Sequence, residues 1–162
     1  MILVAIDTGR GMRDAMPGVR GALRRLRGTV AVAALGDYRC HLLQAGDRFH
    51  ACGLDRSFEL AMLYYARMGP GGSLVLCGNG GYRDAISAHH ARLLGLGCGD
   101  HVYTADAFGE LRRRWSVRML YVSRGVYDTG VGAWETLLGK RNVEIAEPRG
   151  TATALARLAR HG

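Results

Sequence analysis

The residue with the clearest chemical potential stands at the end of a hydrophobic run. The run ILVAID ends at Asp7 and passes at once into the glycine-spaced turn TGRG. A carboxylate in this position can bind a hard cation such as Mg²⁺, take part in catalysis, or accept backbone N–H bonds that shape the turn. The segment alone does not distinguish these three roles, so the elements around it have to be considered as well.

Strand-like and helix-like patterns alternate along the whole chain. Continuous apolar runs at 2–7, 73–77 and 118–123 predict strands that are buried on both faces of a sheet. Apolar residues at helical spacing predict helices between the strands, one of them deeply buried and beginning near Phe58. This alternation predicts one α/β domain of residues 1–162, three-layered and Rossmann-like, with helices on both faces of a mostly parallel sheet of about six strands.

The segment after the first helix predicts an antiparallel strand at the edge of this sheet. The runs VAVAAL and CHLLQ are joined by only four residues, GDYR. A loop that short makes a hairpin, because a parallel return needs a dozen or more residues. In open α/β sheets, functional groups gather in the loops at the carboxyl ends of the strands. Here those loops begin at Asp7, Asn79 and Ser123, with 53–57 as a neighbour.

Three further local predictions concern helices. We expect Asp14 to cap the first helix, because Pro17 fits a helix only in its first turn. Helices are also predicted at 84–94 and 110–115, and the run HVYTA between them predicts a short strand. On the former, His90 shares a face with apolar residues, so we expect it to pack in the core.

Composition limits the location and the partners. The chain has 162 residues and a formal net charge of +8, which comes almost wholly from arginine because Lys140 is the only lysine. Its four scattered cysteines fit reduced, mostly buried thiols better than disulfides. No apolar run approaches the roughly 18 residues of a membrane helix, and the first residues do not resemble a signal peptide. We therefore expect a cytoplasmic protein without a membrane partner.

A basic segment, LRRRWSVRMLYVSRG, contains five arginines and no acidic residue. Such a segment can bind phosphates and stack bases as an RNA-binding module, bind an acidic protein, or form a solvated helix face. The candidate nucleic-acid contacts are Arg112, Arg113, Arg114, Trp115, Arg118 and Arg124.

Several segments together resemble the von Willebrand factor A (vWA) family. IDTGRGM is similar to the first metal-site loop of these domains, which reads aspartate-x-serine-x-serine and is commonly followed by methionine. VAVAALGDYRCHLL resembles the hairpin that follows their first helix, and LVLCGNGGYRD resembles their central strand, which ends in an aspartate–glycine pair. The resemblance covers nearly the whole chain in order and length, and it implies the same fold class as the periodicity.

The resemblance implies a degenerate metal-ion-dependent adhesion site. Asp7 matches the first aspartate, whereas Gly9 and Gly11 stand at the two serine positions and have no side-chain oxygen. The central aspartate corresponds to Asn79, a neutral and weaker ligand, and the threonine position falls near Asp55 or Arg56. With so few oxygen ligands left, the resemblance implies a weak or absent Mg²⁺ or Mn²⁺ site at Asp7, Asp55 and Asn79.

The resemblance also implies a function, that of a non-catalytic protein-binding module in a larger intracellular assembly. Where no metal is bound, we expect Arg10 and the neighbouring backbone N–H groups to hold a carboxylate of the partner directly. The expected contact surface consists of Asp7, Gly9, Arg10, Gly11, Asp55, Asn79 and Gly80.

A second resemblance, to the NYN/PIN-type nucleases, implies an enzyme. LVLCGNGGYRDAISAHHARLLG is similar to the second half of those proteins, and GLDRSFELA is similar to their acidic helix. This resemblance implies that Asp7, Asp55 and Glu59 hold Mg²⁺ or Mn²⁺ and activate water on a phosphodiester. The strand-end aspartates would be Asn79 and Gly81, so the acidic cluster is depleted. The likeness also leaves the early hairpin unexplained, and the non-catalytic interpretation is favoured.

Overall fold

The computed structural model describes residues 1–36, 39–42, 58–97, 99–125 and 130–160. Within these ranges, strands and helices alternate as the periodicity predicts. The strands are β1 Ile2–Asp7, β2 Ala31–Gly36, β3 Arg39–Leu42, β4 Gly72–Gly78, β5 Ala85–Ser87, β6 His101–Tyr103, β7 Trp115–Val122 and β8 Val143–Ala146. The helices are α1 Met16–Arg25, α2 Phe58–Met68, α3 Ala88–Leu93, α4 Thr104–Leu111, α5 Gly130–Leu138 and α6 Thr151–Leu158.

Six of the strands form one sheet in the order β3-β2-β1-β4-β7-β8. All neighbours in this sheet are parallel except β2 and β3, which form the antiparallel pair at the edge. The predicted fold class, including the antiparallel edge strand, is therefore confirmed. Because Ile6 in β1 lies opposite Cys77 in β4, the loops that begin at Asp7 and Asn79 leave the same edge of the sheet side by side.

Helices cover both faces of the sheet. On one face, α2, α4 and α5 bury a cluster that includes Phe58 and Trp134. On the other face, α1 and α6 bury a second cluster that includes Val19 and Leu155. Among the residues described, no helix has the length and apolar composition needed to cross a membrane.

Burial on both faces explains the unbroken apolar run in β1. Leu3 and Ala5 belong to the cluster under α2, α4 and α5, whereas Val4 and Ile6 belong to the cluster under α1 and α6. All four side chains are fully buried. A strand with one face in water would instead alternate between apolar and polar residues.

The segment 84–94 does not form the single helix that was predicted. Strand β5 pairs antiparallel with β6 in a separate two-stranded sheet, and the helix that follows is only α3. The N-cap of α3 is Ser87, whose Oγ accepts a bond of 3.3 Å from the N–H of His90. The side chain of His90 is only partly buried, so it does not pack in the core as predicted. The prediction was wrong because a strand of three residues is too short to display its period.

Two helix boundaries also differ from the prediction. Asp14 does not cap α1, because the helix begins at Met16 and its N-cap is Ala15, without a side-chain bond. A 3₁₀ turn ahead of α1 occupies part of the segment that an earlier start would use. Helix α4 ends at Leu111 and overlaps the predicted segment 110–115 only at its first two residues, since Trp115 already begins β7. Short helices carry little periodic signal, so their ends are poorly determined by pattern alone.

Candidate functional site

The turn after β1 lies directly against two side-chain oxygens at the carboxyl edge of the sheet. Asp7 is 2% exposed and Asn79 is 7% exposed. A Cβ on Gly9 would stand 2.9 Å from Asp7 Oδ1, and a Cβ on Gly11 would stand 2.7 Å from Asn79 Oδ1. Both distances are too short for real Cβ contacts. The two glycines therefore let the turn pack onto Asp7 and Asn79, at the positions where the vWA resemblance implies serine ligands.

Asp7 holds the turn that follows its own strand. Its Oδ1 accepts a buried hydrogen bond of 2.7 Å from the N–H of Gly9. The next residue anchors the same turn to β2, because both the N–H and the hydroxyl of Thr8 donate to the carbonyl of Leu35 at 2.7 Å. An aspartate that accepts the N–H two residues later is a common way to form a tight turn. Of the three possible roles of Asp7, the structure therefore shows the formation of the turn.

Asn79 is tied to the neighbouring strand by its amide nitrogen. Its Nδ2 donates to the carbonyl oxygen of Val122, at the end of β7, over 2.6 Å. This bond fixes the orientation of the amide and leaves Oδ1 against Gly11. An aspartate here would have no donor for the carbonyl of Val122 and would place a second oxygen against it. The structure thus gives a physical reason for the amide at a position where the vWA family has a carboxylate.

The loop after β4 is fixed by helix α5. Gly80 has a positive φ of 89°, a conformation that favours glycine, and its carbonyl accepts a buried bond of 2.8 Å from Trp134 Nε1. A Cβ on Gly130, the first residue of α5, would stand 2.7 Å from the carbonyl carbon of Gly80. Because α5 approaches this loop so closely, its first residue must be a glycine as well. Sequence reasoning missed Gly130 and Trp134, since a glycine four residues before a tryptophan is a weak signal.

The side chains that pack beneath Asp7 are apolar. A Cβ on Gly78 would collide with the ring of Phe58 and would stand 2.6 Å from Asp7 Cβ. The thiol of the preceding residue, Cys77, lies on the other face of the sheet, in the cluster under α1 and α6, and is fully buried and free. Burial raises the pKa of this thiol from 9.0 to about 12, and the nearby carboxylate of Asp7 adds to the rise. At neutral pH, Cys77 is therefore a protonated, inert core residue and not a nucleophile.

The raised pKa of Cys77 predicts an alkaline loss of stability. Between about pH 9 and pH 12 the thiol stays protonated in the folded chain but ionises once the chain unfolds. The folded state then binds more protons, so the free energy of unfolding falls as pH rises through this window. Urea unfolding across the window should show a steeper fall for the wild type than for Cys77→Ala. Equal slopes for the two proteins would contradict the assigned pKa.

The remaining predicted ligands do not complete a metal site within the described residues. Asp55 lies outside them. Glu59 is 2% exposed on α2, and its Oε2 accepts from the backbone N–H of Arg83 at 3.5 Å. In the ranges the structure describes, no group of three or more histidine, cysteine, aspartate and glutamate side chains is placed to hold a metal ion. The Mg²⁺ or Mn²⁺ site at Asp7, Asp55 and Asn79 stays a prediction.

The basic segment does not present its arginines on one surface. Residues 112–114 lie in the turn before β7, whereas Arg124 lies beyond the other end of this strand. At about 3.3 Å per residue, an eight-residue strand separates the two groups by roughly 26 Å. Trp115 is buried, and its Nε1 donates to the carbonyl of Tyr65 at 3.1 Å, so its ring offers no face to a base. Arg118 is partly buried within the strand.

The comparisons with known proteins add no relative to this picture. No protein-family model matches the chain, and no curated protein matches it significantly. Inferences about function therefore come from the loops at the carboxyl ends of the parallel strands and from the distribution of charged residues.

Proposed function

We propose that the chain is a vWA-like, non-catalytic protein-binding module of a larger cytoplasmic assembly. It binds its partner through the turn after β1 and the loop after β4. The observation that carries the proposal is the packing of Gly9 and Gly11 onto the oxygens of Asp7 and Asn79. Oxygens that would serve a metal ion or a reaction are used within the fold, whereas Arg10, between the two glycines, is exposed.

The sheet supports the vWA-like part of the proposal. The resemblance implies a hairpin after the first helix, and β2 and β3 form such a hairpin at the sheet edge. It also implies that the loops after the first and central strands lie side by side, and β1 and β4 are neighbours in the sheet. The buried, unpaired thiol of Cys77 suits the reducing cytoplasm.

Arg10 determines the kind of partner that the surface accepts. Its guanidinium group has five N–H donors in a planar fork that matches a carboxylate. A bidentate bond of this kind to a glutamate or aspartate of another protein is among the stronger polar contacts, worth about 1.5–3 kcal/mol. We therefore expect the partner to present an acidic side chain to the turn after β1.

Charge reversal at Arg10 should abolish partner capture. The immobilised full chain is incubated with extract of the source cells, and captured proteins are quantified by mass spectrometry for the wild type and two variants. Arg10→Glu removes the proposed contact. Arg113→Glu is the matched control. Arg113 is also exposed, but it lies in the turn before β7, at the amino ends of the parallel strands. We expect at least one protein whose capture falls about tenfold or more with Arg10→Glu and persists with Arg113→Glu.

A metal chelator separates direct binding from ion-mediated adhesion. If Arg10 contacts the partner directly, capture persists in the presence of EDTA. Capture that is equal for wild type and Arg10→Glu would place the interface elsewhere. Capture that is lost in EDTA would instead favour an intact metal-ion-dependent site.

A further inference from the structure

The layer formed by α1 and α6 carries a large share of the positive charge of the molecule. We call the outward side of these helices and their flanking turns the α1–α6 face. Seven of its arginines are exposed, and Arg20 is partly exposed. The arginines are Arg13, Arg20, Arg24, Arg25, Arg27, Arg149, Arg157 and Arg160. Only Asp14, Glu144 and Glu147 oppose them within the same segments and the adjoining strand β8.

Packing of the two helices places these arginines side by side. A Cβ on Gly18 would stand 3.5 Å from the backbone nitrogen of Ala152, so the first turns of α1 and α6 approach closely. The apolar sides of both helices are buried against the sheet, which leaves their basic sides in solvent. Arg20 and Arg24 follow the i, i+4 spacing of one helix face, and Arg27 lies in the turn two residues beyond the end of α1.

The α1–α6 face lacks the apolar anchors of a protein interface or a membrane surface. Protein interfaces usually have an apolar core with aromatic anchors, and a membrane-bound helix must expose its apolar side. The exposed residues between the arginines are instead small, such as Pro17 and Thr153. None of the large exposed hydrophobic residues that the structure describes lies on α1 or α6. They are Met1, Met68, Leu93, Tyr103 and Ile145.

The α1–α6 side contains an ion pair between Arg157 and Glu144, and the opposite layer is more evenly mixed in charge. On α2 and α4, Arg67 forms an ion pair of 3.3 Å with Glu110. Asp106 on α4 and Glu135 on α5 add further negative charge to this side. An approaching polyanion is therefore steered towards the α1–α6 face.

We infer that the α1–α6 face binds the sugar-phosphate backbone of duplex nucleic acid without sequence preference. Arginine guanidinium groups bind phosphate oxygens in bidentate fashion, and small residues between them allow the backbone to approach. The segments 10–29 and 149–160 contain no aromatic residue. Single-stranded nucleic acid is usually held by stacking its bases on aromatic rings, so a duplex is the better fit. Arg10 adjoins this surface through the turn that contains Arg13, but neither Arg10 nor the basic segment around β7 is among the arginines assigned to it.

The test compares two variants that lose the same charge. The face variant combines Arg24→Gln, Arg27→Gln and Arg160→Gln. The control variant combines Arg92→Gln, Lys140→Gln and Arg141→Gln, all of them exposed and outside both the α1–α6 face and the basic segment around β7. Fluorescence anisotropy measures binding of a labelled duplex of mixed sequence to the full chain at about 50 to 200 mM salt. Duplexes of DNA and of RNA are titrated in parallel to distinguish the two sources of the backbone.

We expect the wild type and the control variant to bind with similar salt dependence. For the face variant, the slope of the logarithm of the binding constant against the logarithm of salt concentration should be shallower by about 3. An equal loss in both variants would overturn the inference, because net charge alone would then explain binding. It would also be overturned by tighter binding of a single strand, by equally effective competition from polyglutamate, or by no binding at low salt. Circular dichroism confirms that both variants are folded.

Discussion

Replacing Trp134 by alanine is expected to lower the free energy of unfolding by about 3–5 kcal/mol. The indole is fully buried and lies edge-on to Phe58 and Tyr82, with ring centroids 5.2 Å and 4.9 Å away. Its removal leaves a cavity between α5 and the sheet, and it leaves the buried carbonyl of Gly80 without its donor. Urea unfolding gives the free energy, and a melting curve should shift by about 2–4 °C for each kcal/mol lost.

Two controls separate the contributions to this loss. Trp134→Phe retains much of the ring but removes the N–H donor to Gly80, so a smaller loss of about 1–3 kcal/mol is expected. Tyr103→Ala removes an aromatic side chain that is 56% exposed on β6 and should change stability by no more than about 0.5 kcal/mol. If Trp134→Ala cost no more than Tyr103→Ala, the packing of α5 against the loop after β4 would be wrong.

Serine at position 11 is expected to destabilise the fold by about 1–3 kcal/mol without creating a metal site. A Cβ here would stand 2.7 Å from Asn79 Oδ1. That oxygen cannot easily withdraw, because the same amide is bonded to the carbonyl of Val122 over 2.6 Å. The added side chain therefore pushes the turn outward and adds no ligand to a preformed shell. Thermal unfolding with and without Mg²⁺ or Mn²⁺ measures both effects.

The matched control for Gly11→Ser is Gly21→Ser on helix α1. A Cβ on Gly21 would meet no atom within 4 Å. Serine has a higher helix propensity than glycine, so this variant should be neutral or slightly stabilised. A ligand that binds only the folded state raises the melting temperature. If Mg²⁺ raised the melting temperature of the double variant Gly9→Ser, Gly11→Ser but not of the wild type, the turn would be able to form an ion site.

The variant Asn79→Asp tests the side chain against which Gly11 packs. The change restores the carboxylate that the vWA resemblance implies, but it removes the donor to the carbonyl of Val122. We expect a loss of about 1–3 kcal/mol, since a buried carbonyl loses this donor and lies beside a new charge. A variant as stable as the wild type at neutral pH would show that the amide of Asn79 is not needed for packing.

Elements with long or distinctive patterns were predictable from the sequence. The run ILVAID corresponds residue for residue to β1, because a strand buried on both faces must be apolar throughout. The short segment GDYR predicted that β2 and β3 are antiparallel, since a parallel return needs more residues, and in the structure its first and last residues, Gly36 and Arg39, already pair with each other. Of the small hairpin, β6 was predicted from the run HVYTA, whereas β5 was missed because its three residues show no period of their own.

The sequence by itself determined the alternation of elements, the antiparallel edge strand and the position of Asp7 at a strand end, because these follow from local periodicity and loop length. Only the tertiary structure decided that Gly9 and Gly11 pack onto Asp7 and Asn79. It also decided that the basic segment is divided between the two ends of β7, and that arginines of α1 and α6 share one face. The physical reason is the same in each case. Contacts between residues far apart in the chain depend on which elements become neighbours in space, and local sequence patterns do not encode that choice.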